Sequence, residues 1–415
     1  MTQSLPKGWR YDRLKDVASL RTEKTKDKSD LADYLELEDI ESWSMRILNK
    51  RNTLEVESAV TLFNAGDVLF GKLRPYLAKV CRPEFNGKCT GEILAICPCH
   101  VDGNYLKYAL IDPEMIKKCT EFSYGAKMPR VNWSTQLSTF EISLPPLPEQ
   151  KRIAAFLDAK CADIDKAIEA KRKQLDSIEA IWSNVLHTAT LQGIDGAKLK
   201  PTNNAIVKKI PAGWKLKKLR YIGRCQNGIS KAGQYFGYGY PFLPYGDVYN
   251  NIALPEVASG LIDSTPEERK CYSVQRGDIF FTRTSETADE VGFSSVCLKT
   301  IPDATFAGFV IRVRPVTDDL LPEFSQYYFR NPFVSQHFAK EMMVVTRASL
   351  SQGILKSLPV LIPPREEQKR IAEYLAAKRK KLDELMDNLR RQIEVLSDYR
   401  KSLIHECVMG ERRVG

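Results

Sequence analysis

A segment of ten residues that occurs twice places the strongest limit on how this chain can fold. Residues 145–154 read PPLPEQKRIA, and residues 363–372 read PPREEQKRIA, 218 positions further along. Each copy leads into about 40 residues without Pro or Gly, and these runs end at Gly193 and Gly410. Pro is well placed at the start of a helix, where its missing N–H costs nothing, and Gly suits the residue after a helix. The repeat therefore predicts two long helices, each preceded by its own folded domain.

The rest of the two halves repeats in the same order. Residues 5–9 (LPKGW) return at 210–214 as IPAGW, and residues 65–70 (AGDVLF) return at 276–281 as RGDIFF. The offset between the copies grows from 205 to 218 positions, so the interiors of the halves differ in length. Matched ends with different interiors indicate one scaffold that carries two different recognition domains.

Short β-rich runs bounded by Gly, Pro and Asn precede each helix, and we therefore predict an α+β fold. The predicted architecture is two mixed α/β recognition domains, related by a pseudo-twofold axis and joined by two long helices that form an antiparallel coiled coil. Its parts are residues 1–144 for the first recognition domain, 145–192 for the first helical spacer, 193–209 for a linker, 210–362 for the second recognition domain and 363–415 for the second helical spacer.

The two helices carry a heptad pattern. Apolar residues recur at alternating four- and three-residue steps, which is typical of a coiled-coil seam. The seam positions are Ile164, Ile168, Lys171, Leu175, Ile178, Trp182 and Val185 in the first helix, and Leu382, Met386, Leu389, Ile393, Leu396, Arg400 and Leu403 in the second. Lys171 and Arg400 are the polar exceptions. Either they fix the register of the helices, or their long stems lie along the seam with the charge in water.

The length of the linker favours an antiparallel pair. A helix of about 40 residues is roughly 60 Å long, and about 20 linker residues could barely span that distance at full extension. If the helices run in opposite directions, the first helix delivers the chain directly to the second domain. We therefore expect one domain at each end of the helix pair.

The chain is basic, and the excess charge lies outside the helices. Its formal net charge is +10, while residues 149–188 carry none and residues 367–406 carry +2. A basic excess in the domains suits a polyanionic partner such as nucleic acid. The charge alone is equally consistent with a basic protein whose charge only keeps it in solution. There is no apolar run long enough to span a bilayer and no apolar signal at the start, so we expect a cytoplasmic protein.

Catalytic and metal motifs are not found in the sequence. Residues 66–73 (GDVLFGKL) mimic a phosphate-binding loop, but Leu73 stands where a Ser or Thr is required. Residues 331–333 (NPF) lack the second proline of the adenine methyltransferase motif. Residues 97–100 (CPCH), with Cys81 and Cys89 upstream, lack the usual spacing of metal ligands, and we interpret these cysteines as buried free thiols. His187 and His405 occupy equivalent places in the repeat, which indicates a structural role.

The repeated PPxxEQKRIA step, the Pro-x-Gly-Trp opening of each half and the Gly-Asp strand together resemble the specificity subunits of Type I restriction–modification systems. The resemblance covers essentially the whole chain. It implies a non-catalytic subunit in which each domain binds one half of a bipartite, asymmetric sequence in double-stranded DNA, while the helices set the gap. It also implies two methyltransferase subunits, which bind S-adenosylmethionine and methylate adenine, and two restriction subunits, which use ATP and Mg²⁺ for cleavage. No cofactor or metal is then expected on this chain.

Candidate DNA-binding residues are polar, mostly basic side chains in loops that also contain or adjoin Gly or Pro, because such side chains can reach bases and phosphates. They are Lys72, Arg74, Tyr76, Lys127, Arg130 and Asn132 in the first half, and Arg283, Thr284, Arg347, Ser349 and Gln352 in the second. The aromatic run that contains Tyr235, Tyr238, Tyr240 and Tyr245 is predicted to belong to the core rather than to the contact surface.

Two other classes of function stay open at this point. The chain could be an assembly protein that binds partners through its helices and ignores DNA, in which case no salt-dependent DNA binding is expected. It could also be an enzyme with an unrecognised active site, in which case the chain alone would turn over a substrate.

Overall fold

A computed structural model describes residues 5–26, 33–52, 59–204, 206–285, 291–342 and 348–414. The chain divides into two compact units. Unit 1 comprises residues 1–173 and 389–415, and unit 2 comprises residues 174–388. Each unit therefore contains one β-rich domain together with parts of both long helices.

The α-helices of the described residues include the two long ones that the repeat predicts. They are Leu14–Val17 (α1), Gly103–Ile111 (α2), Pro113–Glu121 (α3), Leu147–Gln192 (α4), Tyr245–Asn250 (α5), Pro266–Cys271 (α6), Pro322–Tyr328 (α7), Pro332–Glu341 (α8), Gln352–Ser357 (α9) and Arg365–Val408 (α10). α4 has 46 residues and α10 has 44. Gly193 and Gly410 follow them with φ of +80° and +75°, the left-handed conformation in which glycine ends a helix. Within the described ranges, these and the other helices are all too short or too polar to cross a membrane.

The strands of unit 1 form two main sheets and one short pair. They are Arg10–Arg13 (β1), Ala18–Leu20 (β2), Lys24–Thr25 (β3), Asp33–Leu35 (β4), Arg51–Asn52 (β5), Val60–Phe63 (β6), Val68–Gly71 (β7), Val80–Cys81 (β8), Gly87–Cys89 (β9), Ile93–Pro98 (β10) and Glu141–Leu144 (β11). One sheet has the order β2-β10-β7-β8, the second has the order β3-β6-β9-β4-β5, and β1 pairs antiparallel with β11.

The strands of unit 2 are Leu199–Pro201 (β12), Lys209–Pro211 (β13), Lys215–Lys218 (β14), Gly223–Asn227 (β15), Phe236–Leu243 (β16), Gly260–Ile262 (β17), Ile279–Thr282 (β18), Thr284–Ser285 (β19), Ser294–Val296 (β20), Thr305–Phe306 (β21), Val310–Pro315 (β22), Ala348–Ser349 (β23) and Pro359–Ile362 (β24). The sheet β15-β22-β18-β20 has the same order as β2-β10-β7-β8, and the pair β14-β24 corresponds to β1-β11. The sequence repeat is therefore a repeat of structure. The second sheets differ, because the described residues of unit 2 form the three-stranded sheet β17-β16-β21, whereas unit 1 has a five-stranded one.

The repeated Glu-Gln pair fastens each long helix to its domain. Glu149 accepts a hydrogen bond from the indole N–H of Trp9 at 3.1 Å, and Glu367 accepts one from Trp214 at 2.9 Å. The buried Gln150 accepts from the backbone N–H of Asp102 and donates to the carbonyl of Pro145, both at 2.8 Å. Gln368 makes the equivalent bonds in unit 2. The strongest motif of the sequence is thus a structural joint.

The long helices pair in opposite directions within each unit. In unit 1 the beginning of α4 shares a core with the end of α10, where Leu157 and Ile164 join Leu403 and Ile404. In unit 2 the end of α4 shares a core with the beginning of α10, where Leu186 joins Leu375. The antiparallel arrangement is confirmed.

All ten apolar residues predicted for the coiled-coil interface are covered at least in part. Ile164, Ile168, Ile178, Met386 and Leu389 are buried, and Leu175, Trp182, Leu382, Ile393 and Leu396 are half-buried. Residues off the seam, such as Leu385 and Val395, are exposed. Lys171 donates to Gln392 of α10, so its charge is held by the facing helix.

Candidate nucleic-acid interface

The repeated Gly-Asp step determines where one central strand of each unit begins. Gly66 and Gly277 both have φ of +92°, and the next residue is a buried aspartate. Asp67 accepts from the backbone N–H of Asn64, and Asp278 from that of Gln275, both at 2.8 Å. Each aspartate also pairs with an arginine, Arg21 in unit 1 and Arg314 in unit 2. The motif is therefore a turn that starts β7 or β18, and it is not a phosphate-binding loop.

The residue that follows the strand carries a positive charge in both units. The carbonyl of Lys72, after β7, accepts a hydrogen bond from the backbone N–H of Val131 at 3.0 Å. The carbonyl of Arg283, after β18, accepts one from Leu350 at 2.7 Å. Val131 and Leu350 are fully buried, so each bond ties the end of the strand to the segment before the Pro-Pro step. The structure thus brings the two predicted stretches of each half together at the same place in the fold.

In unit 1 this juxtaposition concentrates unpaired cations. The backbone N–H of Arg74 donates to the carbonyl of Pro129 at 2.7 Å, which places the 72–76 loop beside the 124–132 loop. The side chains of Lys72, Arg74 and Lys127 form no ion pair within the described part of the chain. They are free to meet phosphates.

Exposed apolar side chains lie on or beside the same loops as these cations. Tyr76 is 46% exposed, Tyr124 is 58% exposed, and Phe122 and Met128 on the neighbouring loop are also open to solvent. A cluster of exposed aromatic and apolar residues on a folded domain marks an interaction surface. Mixed with free cations, it has the chemistry of a nucleic-acid contact.

Arg130 and Asn132, which the sequence also proposed, have partners in the chain. Arg130 pairs with Glu92 through Nε at 3.0 Å and Nη2 at 3.1 Å, and this carboxylate raises the pKa of the arginine. Asn132 accepts from the backbone N–H of Thr135 at 3.1 Å. In this structure both side chains shape the loop, and their contact with DNA stays a prediction.

In unit 2 the matching surface is built from a short strand pair. Thr284 pairs with Ser349 in the antiparallel β19-β23 ladder, next to the half-buried Arg283. Gln352 begins α9 and donates to Asn227 Oδ1 at 3.0 Å. Arg347 lies outside the described residues.

The prediction that the aromatic run of unit 2 belongs to the core is wrong for three of its four tyrosines. Tyr235, Tyr238 and Tyr240 are exposed by 37%, 52% and 40%. Glycines between them have φ above +90°, and the pairing of β16 with β17 is irregular there. An alternation of Gly and Tyr cannot offer a continuous apolar face, and this signal was present in the sequence. Only Tyr245 is half-buried, stacked on Tyr249 at 5.7 Å between ring centroids.

The Asn-Pro-Phe segment is a helix cap. Asn331 accepts from the backbone N–H of Phe333 at 2.8 Å and lies 3.2 Å from His187 Nδ1. In the same place of unit 1, Asp112 caps α3 and lies 2.9 Å from His405 Nδ1. The two histidines therefore have equivalent structural roles.

Among the described residues, no group of His, Cys, Asp and Glu is arranged to hold a metal. Cys81 and Cys89 are buried free thiols, as predicted, and burial raises the pKa of Cys89 to about 12. Cys97 is half-buried and Cys99 is exposed, so the prediction of burial is wrong for this pair.

The histidine beside the helix cap of unit 1 predicts a pH-dependent contribution to stability. Asp112, followed by Glu411 and Glu114, raises the pKa of His405 above its ordinary 6.5. The stabilisation from the charged His405 beside Asp112 is then fully present below pH 6.5. It is lost as the pH rises through the higher pKa that His405 has in the folded chain. The stability that Asp112→Asn, which copies unit 2, loses relative to the wild type should be greater at about pH 6 than at about pH 8 in urea unfolding. The comparison with the variant is needed because burial lowers the pKa of His337 in unit 2, which acts in the opposite direction in both proteins. The same loss at both pH values would contradict the assignment.

Removal of the unpaired cations of unit 1 tests whether the 72–76 loop contacts DNA. Lys72→Ala and Arg74→Ala should each weaken DNA binding and reduce the slope of log K against log salt by about one. Lys160→Ala removes an exposed charge from α4 and is the matched control, for which an unchanged slope is expected. If the control and the two loop variants behave alike, the 72–76 loop does not contact phosphate.

The chain is similar in sequence to a family of known proteins. A family model described as Type I restriction modification DNA specificity domain matches residues 6–180 and 211–395. The chain is 27% identical over 193 residues to the Type I restriction enzyme EcoDI specificity subunit of Escherichia coli, which covers 45% of this chain and 42% of that protein. It is 25% identical over 305 residues to the EcoKI specificity subunit of Escherichia coli strain K12, which covers 71% of this chain and 62% of that protein. The matches thus span only about half the length of these two relatives.

A solved chain from a study of complex assembly and conformational transition of the type I R-M system has the same fold. It superposes with a TM-score of 0.74 at 19% identity, over 99% of this chain and 100% of that one.

Proposed function

This chain belongs to the Type I restriction–modification DNA-specificity family, and from that premise we propose that it binds one bipartite, asymmetric sequence in double-stranded DNA. In this proposal residues 1–144 and 210–362 are the two recognition domains. Residues 145–192 and 363–415 are the helical spacers, and residues 193–209 are the linker between them. The chain directs the chemistry of its partner subunits to the DNA that it binds.

One observation carries the proposal. In both units a cationic residue leaves the same strand of the same sheet and is tied by its carbonyl to a buried residue of the same segment. The scaffold is equivalent, but the side chains around it are not. Unit 1 offers Arg74 and Tyr76 there, whereas unit 2 offers Thr284 and Ser349. Two equivalent surfaces with different chemistry suit two different half-sites.

The partners follow from the same proposal. We assign adenine methylation to two methyltransferase subunits that hold S-adenosylmethionine, and cleavage to two restriction subunits that use ATP and Mg²⁺. This chain then supplies sequence selection and no reacting group.

The decisive experiment is co-expression of the chain with its methyltransferase partner, followed by mapping of methylated adenines in the host DNA. We expect methylation at a single motif with two defined halves and a gap of fixed length. Methylation with no common motif, or a motif that is the same without this chain, would contradict the proposal. Turnover of a substrate by the purified chain alone would contradict the non-catalytic role.

A further inference from the structure

Arg400, a polar residue of the heptad seam, connects three elements of unit 1. It is only 4% exposed. Its guanidinium donates from Nη1 to the carbonyl of Trp43 and from Nη2 to the carbonyl of Ser44, the latter at 3.1 Å. Its Nε lies 3.1 Å from Asp165 Oδ1 of α4. One side chain of α10 thus joins both long helices to the recognition domain.

The segment that Arg400 holds, residues 41–47, is here called the clamp loop. Trp43 and Met45 in it have φ of +62° and +64°, a conformation that side chains other than glycine rarely adopt. Such backbone persists only where surrounding contacts impose it. A second contact to α4 supports the loop, since Glu41 accepts from Arg172 at 3.3 Å. The clamp loop is therefore held in its strained shape by the helix pair.

The clamp loop in turn supports the candidate DNA-binding loop. The backbone N–H of Trp43 donates to the carbonyl of Ala78 at 3.2 Å, and the N–H of Ala78 donates to the carbonyl of Pro75 at 2.8 Å. Arg74 and Ala78, with φ of +51° and +45°, flank this turn. A continuous series of hydrogen bonds therefore runs from Arg400 to the turn that presents Arg74 and Tyr76.

We propose that Arg400 is a positioning residue for DNA recognition by unit 1: it sets the place of the 72–76 loop on the helix pair through the clamp loop. The inference rests on the proposed function, because it assigns the loop to DNA. This role also explains why a buried arginine lies in an apolar seam. The guanidinium of Arg400 is shielded from water, and its contacts are not limited to the facing helix. It also holds the recognition domain through the clamp loop.

Unit 2 is fastened differently at the equivalent position. The residue 218 positions before Arg400 is Trp182, whose ring packs edge-on against Tyr327 at 6.2 Å and beneath Arg379 at 5.3 Å. This contact is a ring packing and not a hydrogen-bonded clamp. Loss of the Arg400 contacts should therefore affect one half of the DNA target and leave the other half unchanged.

The test uses the complex of the full chain with its methyltransferase partner, on the motif found for the wild type. Arg400→Met keeps the length of the side chain and removes its donors. Methylation rates are measured on the target and on duplexes with single base changes in each half. We expect discrimination at one half-site to fall by about twofold to thirtyfold, the range typical of residues that couple two sites, and discrimination at the other to stay unchanged.

Lys160→Met is the matched control, because it removes an exposed positive charge from the helix pair of the same unit. Its discrimination should equal that of the wild type at both half-sites. Equal losses at both halves in Arg400→Met, or no loss at either, would overturn the positioning role.

Removing Arg400 leaves Asp165 without its buried partner, so the amount of folded complex is measured in parallel by thermal unfolding. If Arg400→Met does not fold, Arg400→Lys replaces it, since lysine keeps the charge near Asp165 but cannot bond both carbonyls with the geometry of a guanidinium. The same loss at one half-site is then expected, and wild-type discrimination would overturn the inference. A wild-type complex without any defined motif would instead reject the proposed function.

Discussion

Lengthening both helices by one heptad should move the two halves of the DNA target apart without changing either half. The insertion is made after Lys173 in α4 and after Asn388 in α10, where the two units divide. Seven residues keep the apolar seam in register and add roughly 10 Å of helix. Since base pairs rise about 3.4 Å along DNA, the gap of the methylated motif should grow by about three base pairs. Methylation of the original motif should fall by at least about a hundredfold, because one half-site no longer meets its domain.

Replacing seven residues at the same two places with other helix-forming residues of equal pattern is the control. It should leave the gap as it is in the wild type. An insertion variant that still methylates the original spacing would show that the helices do not set the separation of the half-sites.

Removing the carboxylate of Asp278 should give one of the largest losses of stability from a single change outside the apolar core. Asp278 is 1% exposed and receives Nε and Nη2 of Arg314 at 2.7 and 2.6 Å, besides the backbone bond of the Gly-Asp turn. Arg312, which lies on the same strand as Arg314, is buried as well. Asp278→Ala leaves Arg314 without its carboxylate, removes a charge that favours the charged form of the buried Arg312, and frees the turn that starts β18. We expect the free energy of unfolding to fall by about 3 kcal/mol.

The matched control is Arg276→Ala, two residues away, whose ion pair with Glu323 at 2.6 Å is exposed on both sides. Such surface pairs contribute about 1 kcal/mol or less. Urea unfolding followed by tryptophan fluorescence and by circular dichroism compares the two variants with the wild type. Equal, small losses would mean that the Gly-Asp turn does not depend on its buried ion pair.

These two experiments examine features that differ in how far the sequence could predict them. The helices were predictable because proline, glycine and a heptad pattern act locally, and each of these signals lies within the segment that it shapes. Their antiparallel direction was also predictable, because a linker of limited length leaves few ways to connect two long rods. The place where Lys72 meets the segment near Val131 was predictable only in part. Gly and Pro marked both loops, but the hydrogen bond between them joins residues far apart in the chain.

Arg400 and the tyrosines of β16 show where sequence reasoning stopped. The heptad marked Arg400 as an exception and left two explanations open, since neither Trp43 nor Ser44 is recognisable from the sequence as its partner. The tyrosines near residue 238 were assigned to the core by composition, although the glycines between them already argued against a continuous apolar face, and they are exposed on the irregularly paired β16. For Arg400 the outcome depends on which distant backbone groups lie beside the side chain.

The sequence by itself therefore determined the duplicated plan, the two long helices and their direction, and the family to which the chain belongs. Repeats, helix ends and the periodicity of the seam depend on residues that are close together in the chain, so they can be recognised from the sequence alone. Only the tertiary structure decided what the repeated polar residues do. Glu149, Gln150 and Asp67 are held by groups from other parts of the chain, Asp67 by Arg21, and Arg400 is held by a loop more than 350 residues away. A buried polar side chain needs a partner, but which partner it finds is settled by packing and not by its neighbours in sequence.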